Sequence, residues 1–176
     1  MLTIKDKTFV PFITAEAIQT RVQELAEQIN REYAGKKPLL VVVLNGAFLF
    51  AADLMKTLTI PCEITFIRVA SYTATESTGQ LKQILGLSES IANRDLIVVE
   101  DIVDTGLTIS EVCGQLRSQK PASIAIATLL FKPDALTNPV DLRYVGFEIE
   151  NRFVLGYGLD YDGLGRNTKD LLVLLQ

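Results

Sequence analysis

The run Leu39-Leu40-Val41-Val42-Val43-Leu44 decides the fold class of this 176-residue chain. It is an uninterrupted apolar segment of strand length, bounded by Lys36-Lys37-Pro38 on one side and Asn45-Gly46 on the other. A strand that is apolar at every position is typical of a parallel sheet whose two faces are both covered. A second run of this kind occupies 96–99. Both runs therefore predict a buried parallel sheet of the α/β class.

Helical and strand patterns alternate around these two runs. A helix is predicted over 14–33, because apolar residues recur on one face from Ile18 to Ile29 and Thr14 can cap the first turn. The remaining patterns predict helices over 48–58 and 108–117, and strands over 63–70, 124–131, 144–147, 152–157 and 171–175. This alternation favours right-handed βαβ units and a doubly wound, mostly parallel sheet flanked by helices.

Composition and charge narrow the function classes. Hydrophobic residues make up 48% of the chain and charged residues 22%, and the net charge is 17 − 21 = −4. An acidic globular chain is a poor candidate for non-specific nucleic-acid binding. The absence of histidine excludes His-based acid/base chemistry and His-ligated zinc, and Cys62 and Cys113 alone cannot form a four-thiolate metal site. With no visible secretory signal or membrane-spanning stretch, we expect a cytoplasmic protein without membrane or nucleic-acid partners.

Three carboxylates follow the second apolar run, at Glu100, Asp101 and Asp104. Ligands of doubly wound sheets sit beyond the carboxyl ends of the strands, which is where this segment is predicted to lie. Like charges this close raise each other's pKa and are destabilising unless a cation or polar groups compensate them. Glu100 and Asp101 are therefore candidates for binding hydroxyl groups or a divalent cation.

The next four residues, Thr105-Gly106-Leu107-Thr108, open a predicted helix. Glycine and hydroxyl residues at a helix N-terminus form a cradle of backbone N–H groups that favours anions such as phosphate. A sugar phosphate bound with Mg²⁺ would satisfy the cradle and the carboxylates together. Each feature alone is more often structural, the Asp as a helix cap and the acidic pair as a solvated strand end. Their order behind a buried strand favours a binding site.

The segment 98–108, Val-Val-Glu-Asp-Ile-Val-Asp-Thr-Gly-Leu-Thr, resembles the phosphoribosyl diphosphate motif of type I phosphoribosyltransferases. Further segments in the right order along the chain are similar to hypoxanthine-guanine phosphoribosyltransferases: 44–47, 66–72, 77–79, 130–132, 145–148 and 153–161. The match extends from about 39 to 166, so several separate segments support the same family.

The resemblance implies the type I fold in one phosphoribosyltransferase domain over residues 1–176. Its core would cover about 36–150, and a small hood would be formed by the N-terminal segment and about 151–176. A mobile lid is implied over about 71–80, with Ser71 and Tyr72 closing over the diphosphate and a returning strand over 80–85. Closure of such a lid would keep water away from a reactive intermediate.

The family transfers the 5-phosphoribosyl group from phosphoribosyl diphosphate to N9 of a 6-oxopurine and releases pyrophosphate. The resemblance therefore implies that this chain makes IMP or GMP from hypoxanthine or guanine, in purine salvage. Glu100 and Asp101 would hold the ribose hydroxyls, directly or through Mg²⁺, and Asp104 would be the catalytic acid/base group at N7 of the purine. The 5′-phosphate would be bound by Thr105, Gly106, Leu107 and Thr108.

The resemblance also implies a purine site further along the chain. Lys132 would donate to O6 and select 6-oxopurines over adenine, Phe153 would stack on the ring, and the Val154 carbonyl would accept from the guanine amino group. A lysine leaving a strand is more often solvent-exposed and a phenylalanine is often core, so these roles rest on the motif order. Asp160 would ligate a second Mg²⁺, and Arg166 would contact the pyrophosphate.

Two positions depart from the family pattern. Asn45-Gly46 would bind pyrophosphate through backbone amides, in a loop that often has a cis non-proline peptide, but many relatives have Lys or Arg at position 45. Leu107 stands where relatives often have Lys, so only its backbone can take part. A homodimer or homotetramer is expected by analogy with the family.

Three alternatives stay open on the residues alone. A non-enzymatic regulator could keep the fold and only sense phosphoribosyl diphosphate, although this chain retains Asp104 and Lys132. A phosphate-accepting receiver domain also has an acidic pair in an α/β fold, but there the pair and the phosphorylated Asp come from separate segments. Xanthine or another 6-substituted purine could replace hypoxanthine and guanine as substrate.

Overall fold

The computed structural model describes residues 1–70 and 83–175. The predicted lid over 71–80, including Ser71 and Tyr72, lies outside the described residues. The elements along the chain are β1 (Leu2–Ile4), β2 (Lys7–Ile13), α1 (Ala15–Glu32), β3 (Leu39–Leu44), α2 (Phe48–Thr57), β4 (Glu63–Ala70), β5 (Gln83–Leu85), β6 (Asp95–Val103), α3 (Leu107–Ser118), β7 (Ser123–Phe131), β8 (Tyr144–Glu148), β9 (Val154–Leu155) and β10 (Leu171–Leu174). A 3₁₀ turn, Pro133–Ala135, follows β7.

A six-stranded sheet in the order β5-β4-β3-β6-β7-β8 forms the centre of the fold. The strands from β4 to β8 in that order pair in parallel, and β5 adds an antiparallel edge. Strand β4 pairs with one edge of β3, and β6, which comes later in the chain, pairs with the opposite edge of β3. The predicted doubly wound, mostly parallel α/β fold is confirmed, and the strand order reverses between β3 and β6.

Strand β3 has both faces covered, which explains its continuous apolar sequence. Leu40 and Val42 lie in the core formed with α1 and α2. Leu39, Val41 and Val43 lie in the core formed with α3. All five side chains are at most 5% exposed. An alternating polar position would place a polar group in one of the two cores, so none is tolerated.

Helix α1 follows its sequence pattern closely. Thr14 is the N-cap, and its Oγ1 accepts a hydrogen bond from the backbone N–H of Ala17 at 3.2 Å, as predicted. The buried face consists of Ile18, Val22, Leu25, Ala26 and Ile29. Among the helices described, none combines the length and apolarity needed to cross a membrane.

The acidic residues begin inside strand β6 rather than in a loop after it. The sequence pattern ended this strand at Val99, but its pairing with β7 continues from Glu100 opposite Thr128 to Val103 opposite Phe131. On its other side, β6 pairs with β3 only as far as Val99. Glu100 therefore remains part of strand β6 but pairs only with β7 and no longer with β3. The apolar pattern of the sequence could not predict this extension of the strand.

The terminal segments form a second, antiparallel sheet in the order β1-β2-β10-β9. No sequence pattern predicted strands before β3, and β2 contains Pro11, which a strand interior seldom accepts. Here the register between β2 and β10 shifts at Leu171 and Leu172, so Pro11 lies at an irregularity of the ladder. The sheet surrounds a small core of Ile4, Phe9, Leu155 and Leu172.

The predicted strand over 152–157 is shortened to the two residues of β9. Gly156, Tyr157 and Gly158 have φ angles of 101°, 45° and 103°, which end extended structure and turn the chain back. The Gly156 N–H donates to the Leu159 carbonyl at 3.0 Å within this turn. The turn matters because Asp160 follows it directly.

Asp53 on α2 anchors this turn. Its carboxylate accepts hydrogen bonds from the Tyr157 hydroxyl at 2.7 Å and from Gln19 Nε2 at 2.6 Å, and it pairs with Lys56 at 2.6 Å. Burial alone would raise the pKa of Asp53, but the hydrogen bonds from Lys56, Tyr157 and Gln19 outweigh burial and hold the pKa below its usual value. One carboxylate thereby joins both neighbouring helices to the turn.

Replacing Asp53 by Asn should lower the free energy of unfolding at pH 7 by about 1–2 kcal/mol, since a hydrogen-bonded charge is lost. Because the folded pKa is depressed, this stabilisation exists above the unfolded pKa near ~3.9 and disappears as the pH falls through the folded pKa. Urea unfolding curves of both proteins should therefore differ at pH 7 and converge in acid. The exposed Asp141→Asn serves as control. An equal difference at both pH values would contradict the charge argument.

Candidate active site

The carboxyl ends of β3 and β6 meet at the point where the strand order reverses. In doubly wound sheets this crevice is the usual ligand site. Three cavities of about 290, 270 and 80 Å³ open there and share walls. Two larger surface cavities, of about 540 and 400 Å³, lie beside α1 and away from these strand ends. Topology therefore locates the candidate site better than cavity size does.

Glu100 and Asp101 lie side by side at the base of the crevice. Glu100 is 8% exposed, and its Oε2 atom has no hydrogen-bond partner among the described residues. Burial, and then the neighbouring Asp101 carboxylate, raise the pKa of Glu100 well above its usual value. Burial also raises the pKa of Asp101. Because such a pair is destabilising by itself, its chemistry suits a ligand that brings hydroxyl donors or positive charge.

The turn after β3 packs directly on this acidic pair. The Leu44–Asn45 peptide is cis, as the family resemblance implies. A Cβ atom on Gly46 would lie 1.5 Å from Asp101 Oδ2, so no larger residue fits without displacing that carboxylate. A Cβ atom on Gly158 would lie 2.1 Å from the Gly46 carbonyl oxygen. The cis peptide, the acidic pair and the turn that contains Gly158 therefore meet at Gly46.

Asp104 and Lys132 follow neighbouring strands, β6 and β7, and form an ion pair. The Lys132 ammonium lies 3.3 Å from Asp104 Oδ2 and 3.4 Å from Asn151 Oδ1. Lys132 is only 7% exposed, which is uncommon for lysine, whereas the Asp104 side chain is 47% exposed. The crevice thus presents an accessible carboxylate beside a buried cation, and a planar ligand can meet both.

The segment after Asp104 turns sharply into helix α3. Gly106 has a φ of 79° and precedes the first helical residue, Leu107, whose N–H donates to Thr105 Oγ1 at 3.4 Å. The Thr105 carbonyl accepts from the Asn138 N–H at 2.9 Å, which fixes the turn from outside. Thr105, Gly106 and Thr108 line the 80 Å³ cavity, whereas the Leu107 side chain is 44% exposed. The backbone N–H groups of a helix start of this shape favour an anion.

Phe153 and Val154 lie at the antiparallel terminal sheet and line the 270 Å³ cavity. Phe153 is 44% exposed, and its ring packs 6.1 Å from the Phe9 centroid and edge-on, at 5.8 Å, to Tyr161. Two aromatic neighbours thus hold the ring while much of it stays accessible for stacking. The cavity is lined by Asp101, Ile102, Asp104, Lys132, Phe153, Val154, Leu159 and Asp160.

Asp160 and Arg166 form an ion pair of 2.6 Å at the rim of the 290 Å³ cavity. Arg166 Nη1 also donates to the Gly158 carbonyl at 2.6 Å, and Asp160 Oδ2 accepts from the Gly163 N–H at 2.7 Å. Both side chains are therefore held by backbone groups of Gly158 and Gly163 while they line the crevice. Within residues 1–70 and 83–175, no group of three or more His, Cys, Asp or Glu side chains is arranged to hold a metal ion.

The structure brings the described candidate residues together around one crevice, although they come from separate parts of the chain. Sequence reasoning gave no role to Ile102 or Leu159, which line the 270 Å³ cavity, or to Asn151 and Arg68, which contact candidate residues. Leu159 and Arg68 stand within the segments that resemble the family, so their position was a usable signal. Asn151 has no local sequence signal, because its contact with Lys132 joins the segment after β8 to the end of β7.

Comparisons with known proteins agree with this arrangement. The model of the phosphoribosyl transferase domain family matches residues 13–162. The hypoxanthine-guanine phosphoribosyltransferase of Mycobacterium tuberculosis is 45% identical over 85% of this chain and 78% of that protein. Crystal structures of such an enzyme from Bacillus anthracis and of a hypoxanthine phosphoribosyltransferase from Staphylococcus aureus both superpose with a TM-score of 0.88. The Bacillus anthracis enzyme is 34% identical, and the match covers 97% of this chain and 99% of that one. The Staphylococcus aureus enzyme is 39% identical, and the match covers 94% of this chain and 91% of that one. The chain therefore belongs to the phosphoribosyltransferase family, in the group of the hypoxanthine-guanine phosphoribosyltransferases.

Proposed function

We propose that this protein transfers the 5-phosphoribosyl group of phosphoribosyl diphosphate to N9 of hypoxanthine or guanine, forming IMP or GMP and pyrophosphate in purine salvage. One observation carries the proposal: three adjoining cavities meet at Glu100, Asp101 and Asp104. Their chemistry matches the three parts of the reacting complex. The start of α3 suits the 5′-phosphate, the 270 Å³ cavity suits the base, and the crevice beside Asn45-Gly46 suits the pyrophosphate.

The base would lie in the 270 Å³ cavity between Phe153 and the ends of β6 and β7. Lys132 would donate to O6, which favours a 6-oxopurine over the 6-amino group of adenine. Phe153 would stack on the ring, and the Val154 carbonyl would accept from the amino group of guanine. This placement is supported by the accessible Phe153 ring and by the burial of Lys132.

In the proposed reaction, the bond from C1′ of the ribose to the pyrophosphate oxygen breaks, and the bond from C1′ to N9 forms. Asp104 accepts the proton that leaves N7 of the base, a role supported by its accessible carboxylate. Positive charge develops on the ribose as the first bond breaks, and the carboxylates of Glu100 and Asp101 stabilise it. Arg166 would hold the departing pyrophosphate.

Mg²⁺ is the proposed cofactor, held by Glu100 and Asp101 in one position and by Asp160 in a second. The donor set fits, because Glu100 Oε2 is buried without a partner and carboxylates are the ligands that Mg²⁺ prefers. Mg²⁺ characteristically combines one or two carboxylates with substrate oxygens and water. When bound, the ion would neutralise charge on the diphosphate leaving group.

A homodimer or homotetramer and a cytoplasmic location belong to the same proposal. An exposed apolar groove beside α2 supports self-association, because Phe48 is 39% exposed and lines it with Leu49. Sedimentation of the purified protein measures the assembly directly. A monomer at micromolar concentration would contradict this part of the proposal.

The first experiment is a purine panel. The protein is incubated with phosphoribosyl diphosphate, Mg²⁺ and either hypoxanthine, guanine, xanthine or adenine, and the nucleoside monophosphates are quantified. We expect IMP and GMP, little AMP, and no product when EDTA removes the metal. Comparable turnover of adenine would overturn the role given to Lys132. Binding of phosphoribosyl diphosphate without product from any base would favour the sensing regulator instead.

A further inference from the structure

The candidate pyrophosphate subsite contains little positive charge. Glu100, Asp101 and Asp160 line the 290 Å³ cavity, and the guanidinium there, that of Arg166, is ion-paired with Asp160 at 2.6 Å. Asn45, where many family members have a basic residue, adds only a neutral amide. A pyrophosphate group carries several negative charges, so beyond the charge that the proposed Mg²⁺ would neutralise, these lining side chains compensate it poorly.

Arg68 places a second guanidinium at this turn. It lies near the carboxyl end of β4, where parallel pairing sets it opposite Leu44, the last residue of β3. Its Nη2 atom donates to Asn45 Oδ1 at 3.2 Å, and Asn45 lines the 290 Å³ cavity. Arg68 is solvent-exposed. Val69 rather than Arg68 lines the cavity itself, so the link between this charge and the subsite is the hydrogen bond to the side chain of Asn45.

We propose that Arg68 is a second pyrophosphate-binding cation of this protein, which acts with Arg166 from beside the neutral side chain of Asn45. This inference rests on the proposed binding of phosphoribosyl diphosphate. A guanidinium has five N–H donors in a fixed plane, so the bond to Asn45 leaves donors for two phosphate oxygens. Asn45 acts as a positioning residue, because its Oδ1 holds the guanidinium beside the turn that contains Gly46.

The test measures magnesium pyrophosphate binding by calorimetry, together with the KM for phosphoribosyl diphosphate. Arg68→Gln should weaken pyrophosphate binding and raise this KM roughly tenfold, the usual order for one charge-assisted hydrogen bond. Arg68→Lys, which keeps the charge, should lose less than Arg68→Gln. The difference between wild type and Arg68→Gln should shrink as salt is added, because Arg68 is exposed. The KM for hypoxanthine should stay unchanged.

Two further variants make the outcome decisive. Asn45→Lys in the Arg68→Gln background should restore binding, since it returns a cation to the same turn. Arg117→Gln is the matched control: it removes the same charge from the last turn of α3, about 15 Å along that helix from the crevice. Unchanged pyrophosphate binding in Arg68→Gln, or an equal loss in Arg117→Gln, would overturn the proposal. So would a larger loss in Arg68→Lys than in Arg68→Gln, because the charge would then be irrelevant.

Different experimental results would contradict the inference about Arg68 and the proposed function. If wild type forms IMP but Arg68→Gln binds pyrophosphate normally, the inference about Arg68 is wrong and the function stands. If wild type forms no nucleotide but binds pyrophosphate through Arg68, the function is wrong and the inference stands. Pyrophosphate binding thus tests Arg68 without depending on turnover.

Discussion

Asp104→Asn should lower kcat for IMP formation roughly 10²- to 10⁴-fold, the range that a lost acid/base group usually produces. Asparagine has the same shape and can still accept from Lys132, but it cannot take the proton from N7. The KM values for hypoxanthine and phosphoribosyl diphosphate should therefore change by no more than a few-fold. Steady-state kinetics at saturating Mg²⁺ measure all three constants.

The control for this variant is Asp134→Asn. Asp134 is an exposed aspartate on the 3₁₀ turn two residues after Lys132, so it tests the effect of charge near the same strand end. Its kcat should equal that of wild type. If Asp104→Asn also kept full kcat, another group would have to accept the proton, and Asp104 would lose its catalytic role. A large rise in KM with unchanged kcat would instead make Asp104 a binding residue.

The sequence predicted those parts of the fold that local pattern determines. The buried strands β3 and β6 are apolar because helices cover both faces, and the Thr14 cap of α1 needs only its own first turn. Strand β2 escaped prediction, because Pro11 is accepted only through the irregular pairing with β10. The continuation of β6 to Val103 likewise depends on its pairing with β7. Both features result from tertiary contacts that the local sequence does not contain.

Some features of the candidate site could also be predicted from local sequence, whereas others depend on tertiary contacts. The acidic pair and the cradle are contiguous in sequence, so their residue types alone predicted chemistry for sugar and phosphate. The pairing of Lys132 with Asp104 and the contact of Arg68 with Asn45 join residues far apart in the chain. Composition cannot supply such contacts, because they arise from the parallel register of adjoining strands. The family resemblance supplied the role of Lys132, and only the structure supplied the contact of Arg68.

Glu100→Gln should stabilise the protein while removing most of its activity. The folded chain buries the Glu100 carboxylate, and its Oε2 atom lacks a partner among the described residues. A neutral amide is less costly to bury than a carboxylate, so the free energy of unfolding at pH 8 should rise by about 1–3 kcal/mol. The same change removes the proposed ligand for ribose hydroxyls or Mg²⁺, and kcat/KM should fall roughly 10²-fold.

The stability gain of Glu100→Gln should depend on pH, whereas a gain from better packing would not. Burial and the Asp101 carboxylate raise the folded pKa of Glu100 above its unfolded value near ~4.3. Between these two pKa values the folded state binds more protons than the unfolded state, so wild-type stability falls as the pH rises through that window. The advantage of Glu100→Gln should therefore grow as the pH rises through this window towards pH 8 and vanish below about pH 4. Denaturant unfolding at both pH values measures it.

Ligand-induced stabilisation separates the two roles of this carboxylate. Phosphoribosyl diphosphate with Mg²⁺ should raise the melting temperature of wild type, because it binds only the folded state, and should raise that of Glu100→Gln much less. Glu148→Gln, at an exposed carboxylate that ends β8, should behave as wild type in both measurements. A variant less stable than wild type at pH 8 would refute the burial argument, and a variant that stays fully active would refute the binding role. Stability gained together with function lost is the combination expected of a carboxylate whose buried position serves its ligand rather than the fold.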